Sequence, residues 1–451
     1  MPVNSRIQSQ GAKPEASRRD PGEKPPTWLL PDLTMPQSDT RTVRRVLSGW
    51  LSQLAQSFLR LPLAVLLPSN RALYQATAAL YGDLLRRQPN AVALWRWPTL
   101  NAPMHCLRKE LAKTADQQID RTAVNAWLRE VCSLLLLELG GQGLLPEPLR
   151  LGPDAQGQWP VLRSPGLGLL IAANDRTRTI EISNYFFALR GDSASQSVDL
   201  TPTAPRMDGP LAHCANPYHE VEPGLYLAET DNNPLSDFEA HPDKQGNRLD
   251  LGGRPVAQWL DSIRASLALI DRYLPVLGQE FRLVMRVLVP VGWHDTQHLS
   301  ASYQEAIGQY YLTLHPNCMT MTEAIIHEFQ HNKLNAAFHL DPLLRNAWNP
   351  LYTSPVRPDP RPLHGVILAV HAFQPVALLY AQMLEAGDPL AKNAYFLERF
   401  RAVLQVNRSG AEVVISHAQP TAVGELFFAE MCQLNDIMAD YQEKTAEPQV
   451  F

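Results

Sequence analysis

Residues 320–338, TMTEAIIHEFQHNKLNAAF, decide most of what the sequence predicts about this chain. Apolar residues recur through this stretch at helical spacing, so it is expected to form one long helix. Thr320 and Glu323 fit a capping box that would start the helix. The pattern therefore predicts a helix that begins shortly before the pentapeptide HEFQH at residues 327–331.

HEFQH has the spacing of a divalent-metal site. His327 and His331 are four residues apart, so on a helix both imidazoles project from one face about one turn apart. Glu328 lies where such a site places a general base. The alternative is that both histidines are polar residues on an exposed helix face. The pattern favours His327 and His331 as metal ligands and Glu328 as a catalytic residue.

A third ligand must come from elsewhere in the chain. The metzincin pattern HExxHxxGxxH is excluded, because Leu334 and Ala337 occupy its glycine and histidine positions. The next predicted helix, PLHGVILAVHAF at residues 362–373, offers His364 and His371. They lie about 10 Å apart along a helix axis, so only one can readily join the site. His371, deeper in the helix, is the predicted ligand; the alternative, a hydrogen-bonded core histidine, is the preferred interpretation for His364.

A proline-rich element, SPVRPDPRPL at residues 354–363, connects the two helices. Its prolines fix the backbone and present Arg357 and Arg361 around Asp359. Guanidinium groups bind carboxylates bidentately, so two arginines near a metal suit the binding of a carboxylate-bearing cofactor. The alternative is a structural ion pair between Asp359 and either arginine.

The rest of the chain predicts an α+β, helix-rich protein with a small sheet beside the HExxH helix. Residues 1–27 are predicted to be a disordered tail, and residues 28–150 a helical N-terminal region. Short runs of β-branched and aromatic residues between glycines and prolines indicate a mixed α+β middle region over 151–290. Residues 291–451 would form the HExxH metal-binding catalytic region.

Two apolar runs before the motif are predicted strands. They are FRLVMRVLVPVG at residues 281–292 and AIGQYYLTLH at residues 306–315. The second would lie beside the motif helix, as the strand that holds an extended peptide does in zincin proteases.

Composition excludes several classes of protein. The 451 residues are 45% hydrophobic with a net charge of −5, and no dense basic run argues for a nucleic-acid partner. No uncharged apolar stretch reaches the roughly 18–20 residues of a membrane span, and the N-terminus carries no secretory segment, so the expected location is the cytoplasm. Five scattered cysteines without a CxxC pair argue against a disulfide framework and against zinc knuckles.

HEFQHNKLNA at 327–336, followed by YTSPVRPDPRPLHGV at 352–366, resembles a known family. These are the HExxH-motif peptide-modification proteins encoded beside precursor peptides in bacterial clusters for ribosomal-peptide (RiPP) natural products. The similarity covers about residues 300–380, and RPDPRPL is more specific than HExxH. It implies a metal enzyme that acts on a peptide, and family members are connected with iron- and 2-oxoglutarate-dependent hydroxylation of peptide side chains.

The resemblance carries over residue by residue. His327 and His331 match the family's metal-binding histidines, and Arg357 and Arg361 match the arginines of its RPDPRPL element. One position differs from the family's pattern, because the chain has Leu368 where relatives carry a histidine. His371, one turn further along the same face, is expected to substitute.

Two chemistries remain open. In the first, His327, His331 and His371 hold Fe(II), 2-oxoglutarate chelates it, and an arginine binds the distal carboxylate of 2-oxoglutarate. Three histidines would differ from the usual two histidines and one carboxylate. In the second, Zn²⁺ on the same ligands makes a metallopeptidase with Glu328 as base.

The paired arginines, the resemblance and the missing zincin ligand favour the first. The prediction is an Fe(II)/2-oxoglutarate-dependent oxygenase that hydroxylates a side chain of a precursor peptide. A third possibility, a structural zinc site in a protein without catalytic activity, is disfavoured because no cysteine pair exists to close it.

Overall fold

The computed structural model describes residues 30–113, 118–154, 156–237, 246–354 and 359–446. The chain is α+β and helix-rich, as the sequence predicts. The predicted tail, residues 1–27, lies outside the described residues.

Ten α-helices lie within the described ranges. Their bounds are α1 Arg41–Leu59, α2 Pro68–Arg87, α3 Pro98–Leu111, α4 Arg121–Gly141, α5 Val256–Tyr273, α6 Pro275–Val284, α7 Cys318–Phe338, α8 Leu363–Glu385, α9 Ala394–His417 and α10 Glu425–Ala446. Short 3₁₀ helices cover Leu63–Val65, Pro89–Arg96 and Pro389–Lys392.

The strands of the described ranges are short. They are β1 Leu149–Leu151, β2 Leu162–Ser164, β3 Leu169–Ala173, β4 Thr177–Ser183, β5 Phe186–Gly191, β6 Ser195–Asp199, β7 Ala212–Ala215, β8 Tyr218–Glu222, β9 Leu225–Ala228, β10 Val287–Trp293, β11 Ser300–Ala301, β12 Gln309–Leu314, β13 Leu351–Tyr352 and β14 Arg361–Pro362.

The chain divides into two compact units that are not continuous in sequence. Unit 1 collects residues 1–50, 261–284 and 315–451, and unit 2 collects residues 51–260 and 285–314. Helices α1 and α5 each contribute residues to both units. The predicted division of the sequence into four consecutive regions, with boundaries after residues 27, 150 and 290, stays a prediction.

Unit 2 combines helices with three sheets. Helix α4 packs on α2, α3, β2 and β4, and Asp120 caps its first turn by accepting from the backbone N–H of Thr122 and Ala123. Two sheets, in the orders β1-β4-β5-β6 and β2-β3-β7, are antiparallel. The third, in the order β11-β12-β10-β9-β8, has β10 parallel to both β12 and β9. All six residues of β12 are buried, which fits a strand inside a sheet.

One strand prediction is partly wrong. Residues 281–284 form the end of helix α6, and only the later part of FRLVMRVLVPVG forms strand β10. A short apolar run has no periodicity that separates a buried strand from a buried helix. The strand predicted within residues 306–315 is confirmed as β12.

Unit 1 is a helical assembly around α8. Helix α8 packs on α7, α9 and α10, and α6 packs on α7. Among the described residues, α8 is the single helix long and apolar enough to cross a membrane, so the expectation that no uncharged apolar stretch reaches that length is wrong for this segment. Because 78% of its apolar window is buried inside the protein, it has the character of a core helix.

Candidate metal centre

The helix that carries HEFQH begins earlier than predicted. Its N-cap is Asn317, whose side chain accepts hydrogen bonds from the backbone N–H of Met319 and Thr320. The predicted capping box of Thr320 and Glu323 is therefore wrong. The physical reason is that Glu323 has charged and hydroxyl partners from other helices, which bind a carboxylate more strongly than a backbone amide does.

His327, Glu328 and His331 form one group. One ligand atom from each lies within 4.8 Å of the others. The two imidazole ring centroids are 4.3 Å apart, and the His327 ring also contacts Phe373 of α8 at 4.8 Å. The histidine side chains are partly buried rather than exposed on an open face, which argues against the alternative of two surface histidines.

Burial keeps both imidazoles neutral. It lowers the pKa of His327 to about 3, helped by the neighbouring His331 and Arg399, and it lowers the pKa of His331 to about 4, helped by His364. A metal ion binds the neutral form of histidine, so protons compete weakly for these nitrogens. Nε2 of His331 is buried and has no hydrogen-bond partner among the described residues.

Glu328 is the most buried member of the group. It is 2% exposed, and its Oε2 lies 3.7 Å from Nδ1 of His331. The distance is beyond a hydrogen bond, but it places a carboxylate directly beside a candidate ligand. Glu328 can therefore bind an ion, or hold a proton next to one.

His371 does not belong to this group. It does not lie within 4.8 Å of all three members. Its ring is fully buried, Nδ1 is 3.1 Å from Oγ1 of Thr34, and Nε2 has no hydrogen-bond partner among the described residues. The contact with Thr34 is typical of a core histidine, whereas an Nε2 without a partner would suit a metal ligand. The role of His371 as third ligand therefore stays a prediction.

His364 also stays outside the group but near it. Its ring stacks on Trp348 at 4.5 Å and contacts Phe338 at 4.3 Å. Burial lowers the pKa of His364 to about 4, and His364 in turn lowers the pKa of His331. Its Nε2 is buried without a hydrogen-bond partner in the described part of the chain. The structure thus keeps His364 and His371 both open as a third ligand.

Of the two predicted cofactor-binding arginines in the proline-rich element, the structure describes only Arg361. Arg357 lies outside the described residues. Arg361 is on β14 at the start of α8, and its Nε lies 2.9 Å from Oδ2 of Asp359. This contact is the structural ion pair that the sequence left open as an alternative. Binding a cofactor carboxylate would require Arg361 to exchange that partner.

A second group of residues was missed by the sequence analysis. Arg399 of α9 contacts the Glu323 carboxylate through Nε at 3.0 Å and Nη2 at 2.7 Å, and the Tyr380 hydroxyl of α8 donates to the same carboxylate. Glu323 is one turn before His327, so the contacts fix the start of the motif helix against α8 and α9. No sequence signal links residues so far apart.

Replacing His364 by glutamine should make the free energy of unfolding fall less steeply as the pH decreases from 6.5 to 4. The pKa of His364 in the folded chain is about 4, below its ordinary 6.5, so the unfolded chain binds the proton first as pH falls. Stability that His364 contributes above pH 6.5 is therefore lost as pH falls towards 4. At about 1.4 kcal/mol per pKa unit, the loss reaches up to about 3 kcal/mol.

The measurement is the free energy of unfolding of the metal-free protein in urea across this pH range. The wild type should lose stability more steeply than His364→Gln. Parallel profiles for the two proteins would contradict the buried, neutral state of this histidine.

No protein-family model matches the chain, and comparison with curated proteins likewise gives no match.

Proposed function

We propose that this chain is an Fe(II)- and 2-oxoglutarate-dependent oxygenase that hydroxylates a side chain of a ribosomally made precursor peptide. The observation that carries the proposal is the group of His327, Glu328 and His331 within 4.8 Å. Two neighbouring imidazoles suit iron, and the Glu328 carboxylate lies beside them. The resemblance of the RPDPRPL element to the peptide-modification family supports iron and 2-oxoglutarate as the pair of cofactors.

The residues of the group fit a metal ion. Burial keeps His327 and His331 neutral, which is the ligating form, and Nε2 of His331 has no hydrogen-bond partner among the described residues. Iron, when bound, would supply oxidation of a peptide C–H bond by O₂, with 2-oxoglutarate oxidised to succinate and CO₂.

The chain's own residues would then have separate tasks. His327 and His331 would hold the ion, and His371 or His364 would complete the protein ligands. Glu328, buried beside His331, would orient the substrate or a water molecule. Arg361 would leave Asp359 and bind the distal carboxylate of 2-oxoglutarate together with Arg357.

The proposed partner is the precursor peptide, and the proposed place of action is the cytoplasm, where such a peptide is made. All five cysteines are free thiols, which suits a reducing compartment.

Anaerobic reconstitution tests the oxidative chemistry. The metal-free protein is loaded with Fe(II), and 2-oxoglutarate is added. We expect a metal-to-ligand charge-transfer absorption, followed on admission of O₂ by a mass gain of one oxygen atom on the cognate peptide. Absence of the band, together with peptide cleavage by the zinc-loaded protein, would overturn the oxygenase proposal.

The second candidate is a zinc metallopeptidase, which one observation favours. The Glu328 carboxylate directly follows a candidate ligand in sequence and lies 3.7 Å from another, where a general base for hydrolysis would be.

Glu328→Gln separates the two candidates. A hydrolase that needs the carboxylate as base should lose nearly all activity while still binding zinc. An oxygenase should retain iron and part of its turnover, and this is the expected result. Glu412→Gln is the control, because Glu412 is a surface carboxylate, 63% exposed, in an ion pair with Arg408. Abolished hydroxylation in Glu328→Gln with iron still bound would contradict the supporting role given to this residue.

A further inference from the structure

A cavity of about 310 Å³ lies in unit 2, between helices α2 and α4 and strand β1. This volume is at the lower end of the range for pockets that bind small molecules. On α2 the lining runs from Ser69 to Thr77, which is about 12 Å of helix at 1.5 Å per residue. The cavity therefore suits an elongated group. Most of its lining is apolar, with Ala72, Leu73 and Ala76 on α2, Leu136 on α4, and Leu149 and Leu151 on β1.

One charged side chain of this lining is buried. Arg129 on α4 is 7% exposed, and its Nη2 donates to the carbonyl of Gly152, directly after β1. Its Nε is buried and has no hydrogen-bond partner among the described residues. Burial lowers the pKa of Arg129, and the Asp154 carboxylate offsets this only in part. Oδ1 of Asp154 accepts from the backbone N–H of Gln156 at 2.9 Å and of Gln158 at 2.7 Å. The guanidinium of Arg129 therefore keeps a donor for a further acceptor.

The buried guanidinium favours a ligand with one negative charge. A buried charge is costly unless it is paired and hydrogen-bonded, and guanidinium binds carboxylates in a planar, bidentate geometry. Arg150, the other arginine of the lining, is a surface side chain, 78% exposed, with its Nε 2.9 Å from the Glu181 carboxylate. Arg129 is thus the one buried positive charge of the lining. A second negative charge on the ligand would lie among apolar side chains, so a monocarboxylate fits better than a dianion.

The charge and the apolar end of the cavity are well separated. Arg129 and Leu136 line the cavity from the same helix, seven residues and about 10 Å apart along the axis of α4. A ligand whose carboxylate contacts Arg129 can therefore place an apolar tail beside Leu136. A medium-chain fatty acid has this combination of charge, polarity and length.

We propose that this cavity binds a medium-chain fatty acid, whose carboxylate pairs with Arg129 and whose tail lies along α4 towards Leu136. Every residue of the lining belongs to unit 2, whereas His327, Glu328 and His331 belong to unit 1. The proposal is therefore independent of the metal centre, and either can fail without the other.

Calorimetric titration of the full chain with sodium octanoate tests the role of the charge. The wild type should bind one octanoate per chain, and it should bind 1-octanol more weakly because that molecule lacks the carboxylate. Arg129→Met should weaken octanoate binding by about 10–100-fold, as expected for the loss of a hydrogen bond between charged groups.

Arg86→Met is the matched control and should bind octanoate as the wild type does. Arg86 is also an arginine of α2 and α4, the two helices that border the cavity, but it is 74% exposed, forms an ion pair with Asp83 and does not line the cavity. Undiminished octanoate binding by Arg129→Met would overturn the proposal. So would a wild-type protein that binds no octanoate.

A series of fatty acids tests the role of the tail and stays decisive if Arg129→Met does not fold. In the wild type, the affinity should rise roughly fourfold for each added CH₂ group from hexanoate upwards, and the rise should stop once the tail fills the cavity. Leu136→Ala, which removes the side chain at the tail end, should move this limit to a longer fatty acid. An affinity that keeps rising through hexadecanoate in the wild type would overturn the proposal, because the tail would then lie on an open surface.

Discussion

Lys333→Met should lower the free energy of unfolding by about 3–5 kcal/mol, the usual consequence of removing one partner of a buried ion pair. Lys333 Nζ lies 2.9 Å from Oε2 of Glu280, and the two side chains are 0% and 1% exposed. Without Lys333, Glu280 must stay charged without its partner or bind a proton. Burial already raises the pKa of Glu280, and the lysine is the main influence that lowers it.

Urea denaturation of three variants measures this effect. The Lys333→Met, Glu280→Met double variant should lose less stability than Lys333→Met alone, because no buried charge remains. Arg408→Ala, which breaks the exposed pair with Glu412, should cost no more than about 1 kcal/mol. A loss below about 1 kcal/mol in Lys333→Met would show that the pair is not buried as described.

Replacing His327 and His331 together by alanine should remove tight binding of divalent metal ions. These residues supply the two imidazoles of the group, and losing both should exceed the roughly 10–100-fold loss that follows from removing a ligand's hydrogen-bond partner. Calorimetric titration of the chelator-treated protein with Fe(II) or Zn²⁺ is the measurement.

His219→Ala is the matched control. His219 belongs to unit 2, where its Nε2 lies 2.7 Å from Glu229. The control should bind one ion per chain, as the wild type should. Undiminished binding in the double alanine variant would place any metal site elsewhere.

The motif helix and its two histidines could be predicted because the information is local. Apolar spacing over residues 320–338 predicts a helix, which the structure has as α7 from Cys318 to Phe338, and a four-residue separation brings His327 and His331 together on any helix. The helical character of the following segment was equally predictable. Pro362 is the N-cap of α8, in agreement with the expected helix start, and the helix continues to Glu385.

The start of α7 and the hydrogen-bond partners of Glu323 could not be predicted, because other residues provide the helix cap and bind the Glu323 carboxylate. Sequence spacing makes Thr320 and Glu323 a capping box, yet Asn317 provides a cap one turn earlier. Arg399 and Tyr380 bind the Glu323 carboxylate from positions 76 and 57 residues away. Contacts over such separations leave no periodic trace in the sequence.

The third ligand shows the same limit more sharply. Helical spacing places His364 and His371 on one face, but it cannot say which ring has a free nitrogen near the group. Nε2 of each ring has no hydrogen-bond partner among the described residues, and contacts such as that of His371 with Thr34, 337 residues away in sequence, depend on the fold. The position of Arg361 beside Asp359 was open for a similar reason, since one spacing fits both a cofactor clamp and an ion pair.

Anomalous diffraction from crystals of the protein loaded anaerobically with Fe(II) tests the central claim most directly. Data collected on either side of the iron absorption edge would locate the ion without assumptions about activity. We predict one strong peak within ligand distance of His327 and His331, with His371 or His364 as the third histidine ligand. No peak at these histidines, or a peak at another site alone, would contradict the metal centre described for this chain.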